Sequence, residues 1–186
     1  FVSKAAEKFL CLPQINEIYD SACRLNNEKE NGVNLFDQLL DKLGVNLEGT
    51  DEDFKRIPHE GPLLVVANHP YGGLDGLVLG SLLAKRRPDF RIMVNSLVSR
   101  FEGFRPWLLE VDIMQEEGAA VRNLGALLES VRWLSQGGCL VIFPAGEVSS
   151  WNWKSLRVED PEWIQHAAAL ARMTDAATLP IGIEGT

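Results

Sequence analysis

The sequence is short of several features, and each shortage closes off a class of function. It holds only three cysteines, Cys11, Cys23 and Cys139, which form no Cys-x-x-Cys pair and no zinc-type cluster. An odd count at such spacings argues against a disulfide framework and fits a reduced, cytosolic setting. Cations are outnumbered: 18 Lys and Arg against 26 Asp and Glu give a net charge of −8. A general nucleic-acid binder is usually basic, so nucleic acid is not an expected partner. No apolar run approaches the roughly 18 residues that span a bilayer, and no segment is expected to cross a membrane alone. The Gly-x-Ser-x-Gly elbow of serine hydrolases and the Gly-Lys-Ser/Thr phosphate loop are both missing. Half a dinucleotide fingerprint stands at Gly73-x-x-Gly76, but Tyr71 occupies the place of its first glycine. Asn95-Ser96 ends the next apolar run where an acid would hold a ribose. A nucleotide-binding module is therefore a weak rival.

What is present describes one well-packed domain and an appendage. The 186 residues are 46% apolar and 24% charged, enough to bury a sizeable core and too apolar for disorder. Residues 1–44 read as a helical region. Ile15, Ile18, Tyr19, Ala22 and Leu25 recur at helical spacing after Pro13, and the polar stretch Asn26 to Gly32 interrupts them. Leu35, Phe36, Leu39, Leu40 and Leu43 then form an amphipathic face closed by Gly44. Residues 45–62 are acidic and loop-like, with a short strand expected at Val45–Leu47.

From Leu63 the pattern changes. Short apolar runs at Leu63–Ala67, Arg91–Asn95, Val111–Met114, Cys139–Phe143 and Leu179–Ile183 alternate with helical stretches. Continuous apolar runs of this length fit strands covered on both faces. The strongest helix runs from Ala119 to Gln136, with Val121, Leu124, Leu127, Leu128, Val131 and Leu134 on its expected buried side and Gly137-Gly138 at its end. The fold class is α/β, a mostly parallel mixed sheet flanked by helices over residues 45–186. The chain stops at Thr186 just after an apolar run, so this domain reads as trimmed at its C-terminal end.

In such sheets chemistry gathers beyond the carboxyl ends of the strands. The first run ends there in Asn68-His69-Pro70-Tyr71-Gly72-Gly73-Leu74-Asp75-Gly76. An imidazole takes protons near neutral pH, and does so best when a carboxylate holds its other ring nitrogen. Gly72 and Gly73 permit a tight reversal that brings His69 and Asp75 together. Leu77 onward reads as a helix, which puts Asp75 near its N-terminus. The loop offers no Ser or Cys nucleophile, so the base would act on a substrate hydroxyl or amine attacking an activated carbonyl. The plainer reading is a strand-to-helix turn with Asp75 as its cap.

A second group follows a later strand: Phe143-Pro144-Ala145-Gly146-Glu147-Val148-Ser149. Proline stops the strand, Gly146 allows close backbone approach, and Glu147 and Ser149 supply polar groups to a substrate cleft. An ordinary strand-to-helix loop is the alternative.

Asn-His, a spacer and Asp, followed by Phe-Pro-x-Gly and by Leu179-Pro180-Ile181-Gly182-Ile183, resemble the glycerolipid acyltransferase superfamily in motif and order. The resemblance covers about residues 45–186 and is nearest to its hemolysin-like and ornithine-lipid acyltransferase branch, which carries similar His-Pro-x-Gly-Gly-x-Asp-Gly and Phe-Pro-Ala-Gly-Glu-Val-Ser stretches. It implies a glycerol-phosphate acyltransferase-like fold with His69 as general base and Asp75 orienting it. It also implies substrate contacts at Asn68, Gly72, Gly73, Phe143, Pro144, Ala145, Gly146, Glu147 and Ser149. A fatty acyl group would pass from acyl carrier protein or coenzyme A to a lyso-lipid hydroxyl at the cytoplasmic face of a membrane. The protein would be peripheral there and would need no metal or other cofactor.

Three departures bear on the substrate. Five residues, not the family's four, separate His69 from Asp75. Ala145 and Val148 replace the glutamate and arginine of the family's Phe-Pro-Glu-Gly-Thr-Arg. Val111-Asp112-Ile113-Met114 lacks the arginine of the other phosphate-reading strand. Arginine reads phosphate through bidentate, charge-assisted hydrogen bonds. Its loss favours a lyso-aminolipid of ornithine or glycine type over lysophosphatidate as acceptor. A lysophospholipid acceptor and a non-catalytic lipid-binding role stand as alternatives. Glu147 either meets an amine of the acceptor or pairs with a neighbouring cation.

Other features are less decisive. Between Ser81 and Pro106, six Lys and Arg face two acids, a local +4 suited to acidic carrier protein, anionic lipid or plain solvent. Phe101, Phe104 and Trp107 either touch a membrane or pack a core loop. Trp151, Trp153 and Trp163 either wall an acyl groove or cover the sheet. His59 is expected to be exposed, His166 structural and Cys139 buried in a strand.

Overall fold

The computed structural model describes residues 17–23, 35–49, 51–96, 98, 101–111 and 119–185. The chain divides into two compact units, Phe1–Glu48 and Gly49–Thr186. In the first, residues 17–23 are helical and α1 spans Leu35–Lys42, burying Leu35, Phe36, Leu39 and Leu40 as their spacing requires. Gly44, at φ 69°, closes α1 with paired bonds from Val45 N–H to the Leu40 carbonyl and from Gly44 N–H to the Asp41 carbonyl. Val45–Leu47 is irregular rather than a strand, because the Val45 amide is committed to this cap.

The second unit begins with α2 (Asp51–Lys55) and is built on one sheet: β1 (Leu63–Ala67), β2 (Phe90–Asn95), β3 (Leu108–Val111), β4 (Cys139–Ile142) and β7 (Ala177–Ile181). A separate antiparallel pair, β5 (Ser150–Asn152) and β6 (Arg157–Glu159), projects as a hairpin. Helices α3 (Gly73–Ala84), α4 (Ala119–Ser135) and α5 (His166–Thr174) connect the strands. The sheet order is β3-β2-β4-β1-β7, and every pairing described in it is parallel. The class is therefore α/β, a parallel sheet flanked by helices. β1 and β4 are buried along their whole length, which is why they read as unbroken apolar runs.

Two strands sit earlier in the chain than expected. β3 is Leu108–Val111, pairing with Ile92–Asn95 of β2, while Asp112–Met114 lie outside the described residues. Asp175 in the left-handed conformation ends α5, so β7 starts at Ala177, beside Leu63. It stops at Ile181 because the main chain of Ile183 is bonded by Asn68.

The buried line of α4 is also different. Ala126, Ser130 and Leu134 are buried, whereas Leu124, Leu127 and Leu128 are exposed. Small residues let the helix approach the sheet closely, and Ser130 Oγ donates to the Ala126 carbonyl at 2.8 Å, so its hydroxyl is satisfied. Ala126 and Leu134 join Leu64, Val66, Leu109, Leu140 and Ile142 in the core.

The +4 segment is not one surface patch. Arg87 is fully buried and Arg86 Nε donates to the Ile57 carbonyl at 2.7 Å. Arg91 pairs with Glu129 and lies 4.0 Å from the centre of the Trp133 ring. Of the aromatic cluster, Phe104 is buried, while Phe101 and Trp107 are half-buried, Trp107 stacking on Phe90 at 6.3 Å. His59 and His166 are exposed. Cys139 is buried, and burial pushes its thiol up to about 12.

Arg87 makes a two-point contact with Asp89, each bond 2.8 Å. The guanidinium hydrogen bond holds the Asp89 carboxyl below its ordinary value, against the opposing effect of burial. A carboxylate with a lowered folded pKa stabilises the fold fully above the ordinary value of about 4 and stops doing so as pH falls through the folded value. Thermal melts between neutral pH and pH about 3 should therefore fall more steeply for the native protein than for Asp89→Asn. Parallel acid profiles would rule the pair out as a pH-dependent stabiliser.

Candidate active site

The strand order dictates the site. β1 lies between β4 and β7, and its register sets Val66 beside Ile142 and Ala67 beside Ile181. The residues just past each carboxyl end must then meet: Asn68-His69 after β1, Phe143-Pro144 after β4, Gly182-Ile183 after β7. Asn68 closes one side. Its Nδ2 donates to the Ile183 carbonyl at 2.8 Å and its Oδ1 accepts from the Ile183 N–H at 2.6 Å. The side chain extends the sheet like one more main-chain pairing, and both its polar groups are committed to that contact.

His69 points its Nδ1 at Asp75 Oδ2, 2.9 Å away. Asp75 is fully buried, and the same oxygen accepts the Tyr71 N–H at 2.9 Å. Its Oδ1 is buried with no partner among the described residues. A carboxylate set this way accepts a hydrogen bond from Nδ1–H, keeps the proton on that nitrogen and leaves Nε2 as the ring's free acceptor. The His69 side chain keeps 19% exposure, so it is sheltered but reachable. Its ring stacks on Phe143, centroids 4.1 Å apart.

The five-residue spacer closes through one glycine rather than two. Gly72 takes φ 64°, a backbone conformation that L side chains rarely adopt, and a Cβ there would only touch Val148 at 3.4 Å. Gly73 is simply the first residue of α3. Asp75, in the helix's first turn, is thereby aimed back at His69.

On the β4 side, Gly146 at φ 71° bonds back to the Phe143 carbonyl, while Pro144 and Ala145 are buried. Gly146 and Glu147 are exposed, and no cation among the described residues forms an ion pair with Glu147. The Ser149 amide donates to the His69 carbonyl at 2.8 Å. Its hydroxyl donates to Asp160 Oδ1, which also accepts the His69 N–H at 3.1 Å. Trp163 Nε1 donates to Asp160 Oδ2 at 2.8 Å.

Asp160 went unrecognised in the sequence. Burial pushes its carboxyl up, but the hydrogen bonds from Ser149, Trp163 and the His69 amide, together with His69 nearby, bring it below the ordinary value. Tyr71, whose hydroxyl donates to the Gly185 carbonyl at 2.9 Å, was also unmarked. The contacts that draw them to the site are long-range: Asp160 meets the His69 amide 91 residues away, and Tyr71 meets the Gly185 carbonyl 114 residues away. Among the described residues no group of three or more His, Cys, Asp or Glu side chains is placed to hold a metal. No described helix is long and apolar enough to cross a membrane.

A carboxylate-held imidazole thus stands just past the carboxyl end of a parallel strand, an arrangement with which a protein can exchange protons. Residues 36–185 match the family described as Acyltransferase. The chain belongs to that family. It is 25% identical over 155 residues to a lyso-glycine lipid O-acyltransferase of Phocaeicola vulgatus, covering 83% of this chain and 52% of that one. It is 26% identical over 141 residues to a lyso-glycine lipid O-acyltransferase of Bacteroides thetaiotaomicron, covering 75% and 48%. The chain thus spans about half the length of the curated relatives it matches.

Proposed function

We propose that this protein transfers a fatty acyl group from a thioester to the hydroxyl of a lyso-lipid. The observation that carries the reading is the 2.9 Å hydrogen bond from His69 Nδ1 to the buried Asp75, in a chain of the acyltransferase family. His69 Nε2 removes the acceptor's hydroxyl proton as its oxygen attacks the thioester carbonyl. The tetrahedral intermediate then collapses, the carbon–sulfur bond breaks, and the imidazolium returns its proton to the departing thiolate. Asp75 fixes the tautomer and offsets the charge on the imidazolium. Phe143 limits rotation of the ring, and Ser149 with Asp160 holds the His69 main chain.

The acceptor is a lyso-aminolipid, of glycine or ornithine type. Val148 stands where the resemblance puts a phosphate-reading arginine, and Glu147 is charged, exposed and free of an ion pair among the described residues. The names of both relatives favour the glycine type for those proteins. The donor is acyl carrier protein or acyl-coenzyme A, and the protein works peripherally at the cytoplasmic membrane face. The test is a labelled acyl thioester offered to the full-length protein with a panel of lyso-lipids. Product should form on lyso-glycine or lyso-ornithine lipid at least about tenfold faster than on lysophosphatidate, a difference of about 1.4 kcal/mol in transition-state stabilisation. A clear preference for lysophosphatidate would reject the acceptor class.

A further inference from the structure

The β5–β6 hairpin is apolar where a small exposed ribbon should be polar. Its register sets Trp151 opposite Val158 and Asn152 opposite Arg157. Since side chains alternate along a strand, Trp151 and Val158 share one face, with Asn152 and Arg157 on the other, and Trp153, in the turn, meets Trp151 edge-on with ring centroids 6.1 Å apart. All three apolar residues are exposed, Trp153 by 81%. Leu156 at the tip is 64% exposed and held at φ 55°, a conformation that leucine adopts at a cost of about 1–2 kcal/mol. Trp163 and Ile164, just beyond the ribbon, are exposed as well. Large apolar side chains gathered this way in water mark a contact surface.

Charge identifies what the surface meets. The hairpin, residues 150–159, carries Lys154 and Arg157 towards its tip and Glu159 at its base, where Asn152 bonds it, while the whole chain carries −8. An anionic surface would repel most of this protein and attract this tip. Tryptophan, apolar below and hydrogen-bonding at its edge, is enriched at the headgroup level of bilayers. A carrier protein would call for more than two cations; here the apolar residues dominate.

We infer that the β5–β6 hairpin seats its Trp151–Trp153–Leu156 edge in the headgroup region of an anionic bilayer. The inference rests on the lyso-lipid reading for its purpose, because the hairpin is tied to the catalytic loop. Ser149 and Asp160, which flank its two strands, bond to each other and both to the His69 main chain. A hairpin seated there would hold the loop that carries His69 at the bilayer surface.

The experiment is vesicle co-sedimentation and quenching of tryptophan fluorescence by brominated lipid, with full-length protein and neither thioester nor acceptor. Vesicles are phosphatidylcholine alone, or equal parts phosphatidylcholine and phosphatidylglycerol. The native protein should bind the mixed vesicles more tightly and be quenched. The double variant Trp153→Ser/Leu156→Ser should bind at least about tenfold more weakly to both. Lys154→Glu/Arg157→Glu should lose only the preference for phosphatidylglycerol. Native-like melting temperatures would show that these exposed changes spare the fold. Binding by the serine variant equal to native, or no binding of native protein to either vesicle, would overturn the assignment. Because no reaction is read, a failure of acyl transfer would count against the chemistry and leave the hairpin standing.

Discussion

His69→Asn should lower acyl transfer by about 10²–10⁴-fold, the usual cost of removing a general base, while melting close to the native protein. Asparagine is the sharper substitution because of Asp75. That carboxylate is fully buried, and one oxygen accepts both the His69 ring proton and the Tyr71 amide. His69→Ala would remove one of these two donors from a buried charge and add a folding penalty of about 1–3 kcal/mol to the catalytic one. An asparagine amide can still donate towards Asp75 yet cannot accept a proton from a hydroxyl. Asp75→Asn makes the complementary test: its oxygen can keep both hydrogen bonds, but the charge that stabilises an imidazolium is gone. Both variants should lose rate with labelled thioester and lyso-lipid, without an equivalent loss of stability. A His69→Asn enzyme within a few-fold of native activity would remove His69 as the base.

How far the sequence could foretell this site depended on how local each contact was. The His69–Asp75 pair is six residues long and turns on one left-handed glycine, so residue order alone pointed to it. The two loops were recognisable because each follows a run of apolar residues. What joins them was not recognisable. Phe143 reaches His69 only because β4 lies next to β1, and Asn68 reaches Ile183 only because β7 flanks the other side. Sheet order is set by packing of elements far apart in sequence, and a single sequence carries no record of it. Asp160 shows the same limit, being one acid among several in an acidic stretch.

Burial was misread where composition stood in for geometry. Helix α4 has leucines enough to suggest an apolar face, yet the sheet takes the line with the smallest side chains. Counting charges between Ser81 and Pro106 made Arg87 part of a basic surface. In the structure it is the largest fully buried side chain among the described residues. A guanidinium enters a core only where carbonyls and carboxylates meet all its edges, and those acceptors come from three separate turns.

Those turns make Arg87→Met the most damaging change expected for stability away from His69. Arg87 donates to both oxygens of Asp89 and to the carbonyls of Pro58, Gly61 and Gly137. Gly61 precedes β1 and Gly137 precedes β4, so one side chain holds together the entry ends of two central strands. Methionine fills much of the volume but donates nothing, leaving carbonyls beneath the sheet without partners. Asp89 is 40% exposed and can be rehydrated. The cost should therefore fall near the lower end for breaking a buried ion pair, about 3 kcal/mol. For a chain of this length that lowers the melting temperature by about 6–12 °C. Arg87→Lys should recover only part of the loss, since one ammonium cannot reach acceptors spread around a planar fork. The damage lies at the opposite end of β1 from His69, so at a temperature where the variant is folded its acyl transfer per molecule should match native. Thermal unfolding followed by circular dichroism, paired with that activity measurement, decides the matter. A melting temperature within about 2 °C of native, less than 1 kcal/mol at this size, would mean the buried arginine is not what ties the strands.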